Sequence, residues 1–330
     1  MTTVTDVAKR ANVCIATVSR VLNGSAIVSP KTRERVMQAV ADLYYTPNKA
    51  ARNLKSGKSS TVAFAVSDIE QSEDAALTKY LQPTLQTIGL DFFLYNLSHS
   101  KDRLKRLLQE ADRFGLSAMV LSSSEAIDEQ ELAHHAARLA EQNISLIMID
   151  YDLSHCGVPS VVHDDEAASE TSVRYLIETG RTPIAYLGRH ATSRTGQRRR
   201  QGYVNAHRQA GLPIDPDLTW DFYYRSAAGY EAVDRAIERG LKFRAIQCGS
   251  DELAMGAIAA LLDHKVAIPD EVAVIGFGNS TWASHLRPAL TTLSSSPQQV
   301  ATTVRDLLTE RDNMVMRTVI QRNFLRRDSA

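Results

Sequence analysis

Hydrophobic residues recur along this chain with two periods, and the change falls near residue 60. Before it the spacing is helical. Val4, Val7, Ala8 and Ala11 fall on one face at i, i+3, i+4 and i+7, and Val18, Val21 and Leu22 form a second stripe. Val36, Val40 and Leu43 form a third. Thr3 and Asp6 stand at the spacing of a capping box at the first helix start, and Asn12 in the break Ala11-Asn12-Val13 tolerates a left-handed backbone. Ser29-Pro30 reads as N-cap and first helical position, and Thr46-Pro47 stops the third helix, because the residue before proline is pushed out of the α region. The first two stripes with their tight turn predict a helix-turn-helix whose second helix leaves Ile15, Ala16, Ser19, Arg20 and Asn23 off the buried face. A second helix of this kind can lie in a DNA major groove.

From Thr61 the pattern becomes short apolar runs of strand length. These are TVAFAVS, DFFLYNLS, LSAMVLS, ISLIMID and PSVVH, then PIAYLGR, RAIQC and VAVIGF. Between them lie amphipathic stretches at 73–88, 101–114, 128–142, 166–179, 197–210, 227–238 and 251–264. Alternation of strand and helix predicts parallel sheets covered on both faces, and continuous apolar strands fit sheets buried on both sides. Some 270 residues exceed one comfortable sheet, so the prediction is two lobes facing across a cleft. The fold class is a small all-α helix-turn-helix head on a two-lobed α/β body.

Charge sharpens the division. The 330 residues carry 38 basic and 38 acidic side chains, yet residues 1–58 hold ten Lys or Arg against three Asp or Glu, a net of +7 that leaves −7 on the rest. A basic head on an acidic body suits a polyanion-binding module attached to something that must not bind polyanions. The three cysteines (Cys14, Cys156, Cys248) are odd in number and lack metal-ligand spacing, which suits a reducing cytoplasm. No apolar run approaches a membrane span.

Asn48 to Ser56, NKAARNLKS, is a short basic helical pattern with Asn48 at its cap, small Ala50 and Ala51, and one large apolar residue, Leu54. A helix this short orders only against a partner. It suits a minor groove with Leu54 wedged between base steps, and it equally fits a plain linker whose Leu54 packs on the body.

With those residues in view, DVAKRANVCIATVSRVLNG followed by VSPKTRERVMQAVADLYYTPNKAARNLKSG resembles the head of the LacI/GalR family of bacterial transcription regulators, without a gap over residues 3–58. The resemblance implies a DNA-binding domain at 1–58 with a hinge helix at 48–56, and an effector-binding and dimerisation domain at 59–330. It places Ile15 and Ala16 at the main base-reading positions and Arg20 at a further major-groove contact. Thr3, Ser19, Asn23, Ser29, Thr32 and Tyr45 come on or near phosphates, Thr17 and Asn48 join the DNA-binding set, and Ala51 and Leu54 become the minor-groove residues. Cys14 departs from the pattern: relatives carry Ser there as a cap and phosphate ligand, and Cys is a weaker hydrogen-bond partner. Apolar Ile15 and Ala16 can meet a thymine methyl but make no bidentate base contact, so Arg20 is left with much of the direct readout. The implied partners are a near-palindromic double-stranded operator, a small effector and a second copy of the chain, with no membrane.

The body resembles periplasmic sugar-binding proteins, as that family's effector domains do. By this analogy the first lobe spans about 60–159 and 287–317 and the second about 160–286 and 318–330, with crossings near 159–161, 283–292 and 317–321. Ligands of open α/β sheets bind at the carboxyl ends of the strands. That rule nominates Ser122 to Ser124, Asp150, Arg199, Phe222-Tyr223, Ser250-Asp251 and Gly278-Asn279. Arg199 matches the family's effector-binding arginine. Other positions depart: Gly278 stands where sugar binders usually carry Asp after IGF, Ser250 where Asn is common, and SDIEQSEDAA (67–76) replaces the usual first-lobe segment. The loop TSRTGQRRRQGY has four arginines within seven residues (Arg194, Arg198, Arg199, Arg200). Guanidinium suits carboxylate recognition, so the expected effector is a sugar or sugar acid such as gluconate. Solvated Arg198 and Arg200 are the plainer alternative.

Catalytic signatures fail. SGKSS (56–60) lacks the first glycine of a phosphate loop, with Arg52 in its place, and GFGNST (276–281) lacks the third glycine of a dinucleotide fingerprint. With no GxSxG, HExxH or Cys/His cluster, no enzyme, cofactor or metal is expected. The rival readings are a ligand-binding protein or enzyme with the same body, and a repressor that responds to no effector.

Overall fold

The computed structural model describes residues 2–22, 24, 27–46, 59–123, 128–310 and 315–330. The chain divides into two compact units, Met1–Ser59 and Ser60–Ala330. Asn23, Ser124 and the hinge stretch with Asn48, Ala51 and Leu54 lie outside the described residues.

The head holds helices α1 (Val4–Ala11), α2 (Ile15–Leu22) and α3 (Pro30–Asp42). The expected caps form. Thr3 Oγ1 accepts from the Asp6 N–H (3.3 Å) while Asp6 Oδ2 accepts from the Thr3 N–H (2.9 Å). Asn12 takes φ 50°, ψ 55° as the left-handed cap of α1. Ser29 caps α3, and Arg10 pairs with Asp42 at 2.8 Å. Val7, Ala8, Ala11, Val18, Val21, Val36 and Ala39 form the core, with Val40, Leu22 and Leu43 only partly covered. Each fully buried valine contributes about 1.5–3 kcal/mol, and a core this small depends on nearly all of them.

The body contains two six-stranded sheets. The first runs β11-β5-β4-β3-β1-β2 and is parallel throughout: β1 (Thr61–Val66), β2 (Asp91–Asn96), β3 (Ala118–Ser122), β4 (Ser145–Ile149), β5 (Ser160–His163) and β11 (Arg317–Ile320). The helices α4 (Ser72–Gln86) and α11 (Pro297–Thr309) cover one face through Leu77, Leu81, Leu85, Val300 and Val304. Across the sheet, α5 (Lys101–Gln109) and α6 (Glu129–Glu141) bring Leu104, Leu107, Leu108, Leu132 and Leu139.

The second sheet runs β12-β10-β9-β8-β6-β7: β6 (Ile184–Gly188), β7 (Thr219–Asp221), β8 (Ala245–Cys248), β9 (Ala273–Gly278), β10 (Thr291–Ser294) and β12 (Asn323–Leu325), with only β12 antiparallel. On one face lie α7 (Asp165–Glu178) and α8 (Arg194–Gln209), with Val173, Leu176 and Tyr203 inward. The other carries α9 (Ser226–Glu238) and α10 (Asp251–Asp263), with Val233, Leu253 and Leu261 inward.

Strand pairing moves the lobe boundaries expected from sequence. β5 pairs with β4 and β11, so residues 160–163 belong to the first lobe. β10 (Thr291–Ser294) pairs with β9 and β12 in the second lobe, although the analogy puts 287–317 in the first, and β11 pairs with β5, so residues 318–320 belong to the first lobe rather than the second. The crossings therefore fall in the connections after those strands, at 164, 295–296 and 321–322. Helix α8 begins three residues before the expected 197, because Ser193 accepts from the Gly196 N–H and starts it at Arg194.

Candidate functional site

The DNA-reading surface expected on the head is built by the turn before α2. Buried Val18 and Val21 anchor α2 to the head core and leave Ile15, Ala16, Ser19 and Arg20 exposed, with Thr17 half-buried. Ile15 keeps 44% of its surface accessible, an unusual exposure for isoleucine. Cys14 is exposed, its carbonyl accepts from the Thr17 and Val18 N–H groups, and its Sγ lies 3.2 Å from Thr17 Oγ1. The hydrogen bonds with Thr17 hold the thiol below its ordinary pKa. Thr3 and Ser29, expected near phosphates, serve here as local caps, and Thr32, expected there too, donates its N–H to Ser29 Oγ (3.4 Å). Tyr45 is half-buried against the head core.

In the body, the carboxyl ends of both sheets converge on a narrow cavity of about 50 Å³. The first lobe lines it with Ser67, Gln71, Ser72, Glu73, Asp74, Ser122, Ser123 and Asp150. The second supplies Thr195, Arg199, Tyr224, Ser250, Glu252 and Phe277. Five of the sequence-predicted residues thus come together: Ser122, Ser123, Asp150, Arg199 and Ser250. Phe222, Tyr223, Asp251, Gly278 and Asn279 do not line it. Phe222 packs on the second-lobe core, and its place is taken by Tyr224 two residues on. Gly278 and Asn279 yield to Phe277, because Gly278 turns at φ 127° and Asn279 Oδ1 accepts from Arg327 at 2.8 Å.

The site is dominated by an ion-pair ring of which the sequence reading named only Arg199. Arg199 donates through Nε to Asp165 Oδ2 (3.2 Å), through Nη2 to Glu73 Oε2 (3.2 Å) and through Nη1 to the Gly249 carbonyl (2.6 Å). Arg322, in the third crossing, donates through Nε to Asp165 Oδ1 (2.5 Å) and through Nη1 to Glu73 Oε1 (2.6 Å). Each carboxylate bridges both guanidiniums. Both cations lie over the Phe277 ring, at 4.0 Å for Arg199 and 4.6 Å for Arg322. The ring is net neutral. Burial alone would push the carboxyls up, but the two guanidiniums outweigh it, holding Glu73 at about 2 and Asp165 well below the carboxylate range. Burial opposes the charge on the arginines as well, and the carboxylates more than compensate.

Asp74 behaves in the opposite way. Burial drives its carboxyl well above the ordinary value, although Ser122 Oγ (3.1 Å) and the Asp68 N–H (3.5 Å) donate to it. Among the described residues no cation pairs with it, and the neutral acid is favoured. Further contacts tie the lobes: Arg225 pairs with Asp68 and Glu70, Glu252 Oε1 accepts from the Ser72 N–H (3.0 Å), and Arg194 pairs with Glu129 (2.9 Å) and stacks on Tyr151.

These pairings bear on the expectation of an acidic effector. Of the four clustered arginines only Arg199 lines the cavity, and it is already compensated by two carboxylates. Arg194 is engaged with Glu129, and Arg198 lies in a separate depression that also holds Asp152 and Glu166. Among the described residues the cavity lining therefore has more carboxylates than guanidiniums.

Among the described residues there is no metal-binding cluster of His, Cys, Asp and Glu and no helix long and apolar enough to cross a membrane. Residues 3–48 match the lacI family of bacterial regulatory proteins, and residues 173–329 match the periplasmic binding protein-like domain. The chain is 30% identical to the HTH-type transcriptional regulator RegA of Clostridium saccharobutylicum over 295 residues, covering 89% of this chain and 87% of that protein. It is 27% identical to the probable HTH-type transcriptional repressor ExuR of Bacillus subtilis, covering 100% of this chain and 98% of the relative. Its fold matches the lac repressor dimer bound to operator and an anti-inducer with a TM-score of 0.89 at 22% identity, over 99% and 98% of the two chains. It also matches the transcriptional regulator CelR–cellobiose complex with a TM-score of 0.72 at 26% identity, over 100% of both. The chain belongs to the LacI family of bacterial transcriptional regulators, with a helix-turn-helix head and a periplasmic-binding-protein-like body.

Proposed function

We propose that this regulator works in the cytoplasm as a homodimeric repressor of a near-palindromic operator, and that a neutral polyhydroxylated molecule in the body cleft sets its DNA affinity. One observation carries the effector class. The cavity is lined by hydroxyls (Ser67, Ser122, Ser123, Thr195, Ser250), the amide of Gln71, carboxyls and two aromatic rings, while its guanidinium is neutralised from within. Carboxylates accept from sugar hydroxyls, and Tyr224 and Phe277 give apolar faces for a ring to rest on. The bound cellobiose of CelR is a relative's example of such a ligand.

For DNA, exposed Ile15 and Ala16 supply apolar contacts, Arg20 supplies the bidentate hydrogen bonds, and the +7 head supplies phosphate affinity. By resemblance Leu54 is the minor-groove wedge and Ala51 its neighbour in the hinge. Control follows from linkage. A ligand that binds one arrangement of the two lobes more tightly shifts the dimer toward it, and operator affinity changes by the same coupling free energy.

Calorimetry with neutral hexoses and disaccharides, gluconate, a ketogluconate and a sugar phosphate tests the effector class. Binding confined to the neutral compounds is expected, and binding of gluconate alone would overturn it. Deleting residues 1–58 should abolish DNA binding and leave the ligand isotherm intact; an enzyme or plain binding protein would show no operator affinity at all.

A further inference from the structure

In the ion-pair ring, Glu73 differs in origin from its partners. Asp165 begins α7 and Arg199 lies on α8, both in the second lobe, and Arg322 sits in the connection between β11 and β12 that crosses into that lobe. These three are nearly inaccessible, at 5%, 4% and 0% of their side-chain surface. Together with Phe277 they form a cationic hole with one carboxylate for two guanidiniums. Glu73 comes from the first turn of α4 in the other lobe and retains 30% exposure. It is the most exposed member, and it puts one oxygen on each guanidinium as an incoming carboxylate would.

Two more observations fit a hole shaped for a carboxylate. Arg322 Nη2 is buried with no hydrogen-bond partner among the described residues, so the hole has a donor that Glu73 leaves unused. Gly278 lies beside it: a Cβ there would come within 3.2 Å of Glu73 Cγ, so a side chain at this position would crowd the glutamate.

We infer that Glu73 is a tethered ligand of this hole. It fills with the chain's own carboxylate the place where a small anion would otherwise bridge the lobes, and thereby excludes acids from the cleft. The inference deepens the neutral-effector reading and rests on it for biological meaning, but its test needs neither the effector nor DNA.

The test is chemical rescue of the full-length Glu73→Ala protein with acetate and formate, read by thermal unfolding at constant ionic strength with chloride as reference. Acetate at about ten times its dissociation constant should raise the Tm of E73A by about 3–5 °C, saturably, and leave the wild type unmoved. Glu73→Ser is the companion variant. If both variants fold only when acetate or formate is present, the anion is replacing the missing side chain and the inference stands. Equal shifts in wild type and variants, no shift in folded variants, or failure of both to fold in either anion would overturn it. Failure of the neutral-sugar reading would appear instead in the wild-type calorimetry, with this rescue unchanged.

Discussion

The two sites of this protein handle charge in opposite ways. On the head, Arg20 and its neighbours stand exposed on α2, offered to something outside the chain. In the body, Arg199 and Arg322 are buried and met by carboxylates from within. An arginine that reads DNA gains by staying solvated until phosphates and bases arrive, because its desolvation is then offset by the partner. A buried arginine has to be matched at folding, since an unmatched buried charge costs several kcal/mol. Counting arginines in a sequence therefore says little about anion binding until their partners are known.

The variant with the largest expected effect removes one of those partners. Asp165→Ala leaves two buried guanidiniums with only Glu73, and should destabilise the body by about 3–5 kcal/mol in urea unfolding. A loss below about 1 kcal/mol would mean that the pairing is loose in solution. Arg20→Ala should leave both units as stable as before, cost roughly 1–3 kcal/mol of operator affinity and relax one base position in a binding-site selection. An unchanged sequence preference would remove Arg20 as a reader.

Val18→Ala tests the scaffold behind that face. Val18 is fully buried in α2, and losing about two methylene equivalents should cost the head about 2 kcal/mol while the effector isotherm stays intact. A changed isotherm would show that the head and the cleft are not separable.

The smallest effect concerns pH. The Asp74 carboxyl is raised on folding, so stability is lost as pH rises from the unfolded value near ~3.9 toward the raised folded one. Asp74→Asn imitates the neutral acid. It should flatten that loss and be equal or slightly more stable at neutral pH, by less than about 1 kcal/mol in pH-dependent unfolding. Glu73 has the reverse sign: with a folded value of about 2, its contribution is complete above the ordinary carboxyl value and fades as pH falls toward 2. A stability profile of D74N identical to wild type would place Asp74 among ordinary ionised carboxylates.

The head was nearly legible in its sequence because its determinants are local. Thr3 and Asp6, Asn12, and Ser29 with Pro30 all act within three residues of one another, and each forms the predicted cap. Strand runs and most helices of the body could be read for the same reason. The three-residue β7 is too short to carry a period, and the lobe crossings depend on which strands pair rather than on any residue at the boundary. The ring was illegible because its members are distant in sequence: Arg199 and Glu73 are 126 residues apart, and Arg322 and Glu73 249. Gly278 was visible as a missing carboxylate, but the approach of Glu73 beside it required the fold. An acidic residue in the segment that departs from the family, opposite a glycine that also departs, was the only available signal.

The central claim, that a neutral ligand in the body controls the head, is tested most directly by operator binding. Full-length protein would be titrated against an operator selected from random duplexes, by fluorescence anisotropy at fixed salt, with and without each saturating ligand. The account predicts an operator affinity changed by about 5–150-fold by a neutral sugar and unaffected by gluconate. Equal affinity under every ligand, or a response to gluconate alone, would contradict it.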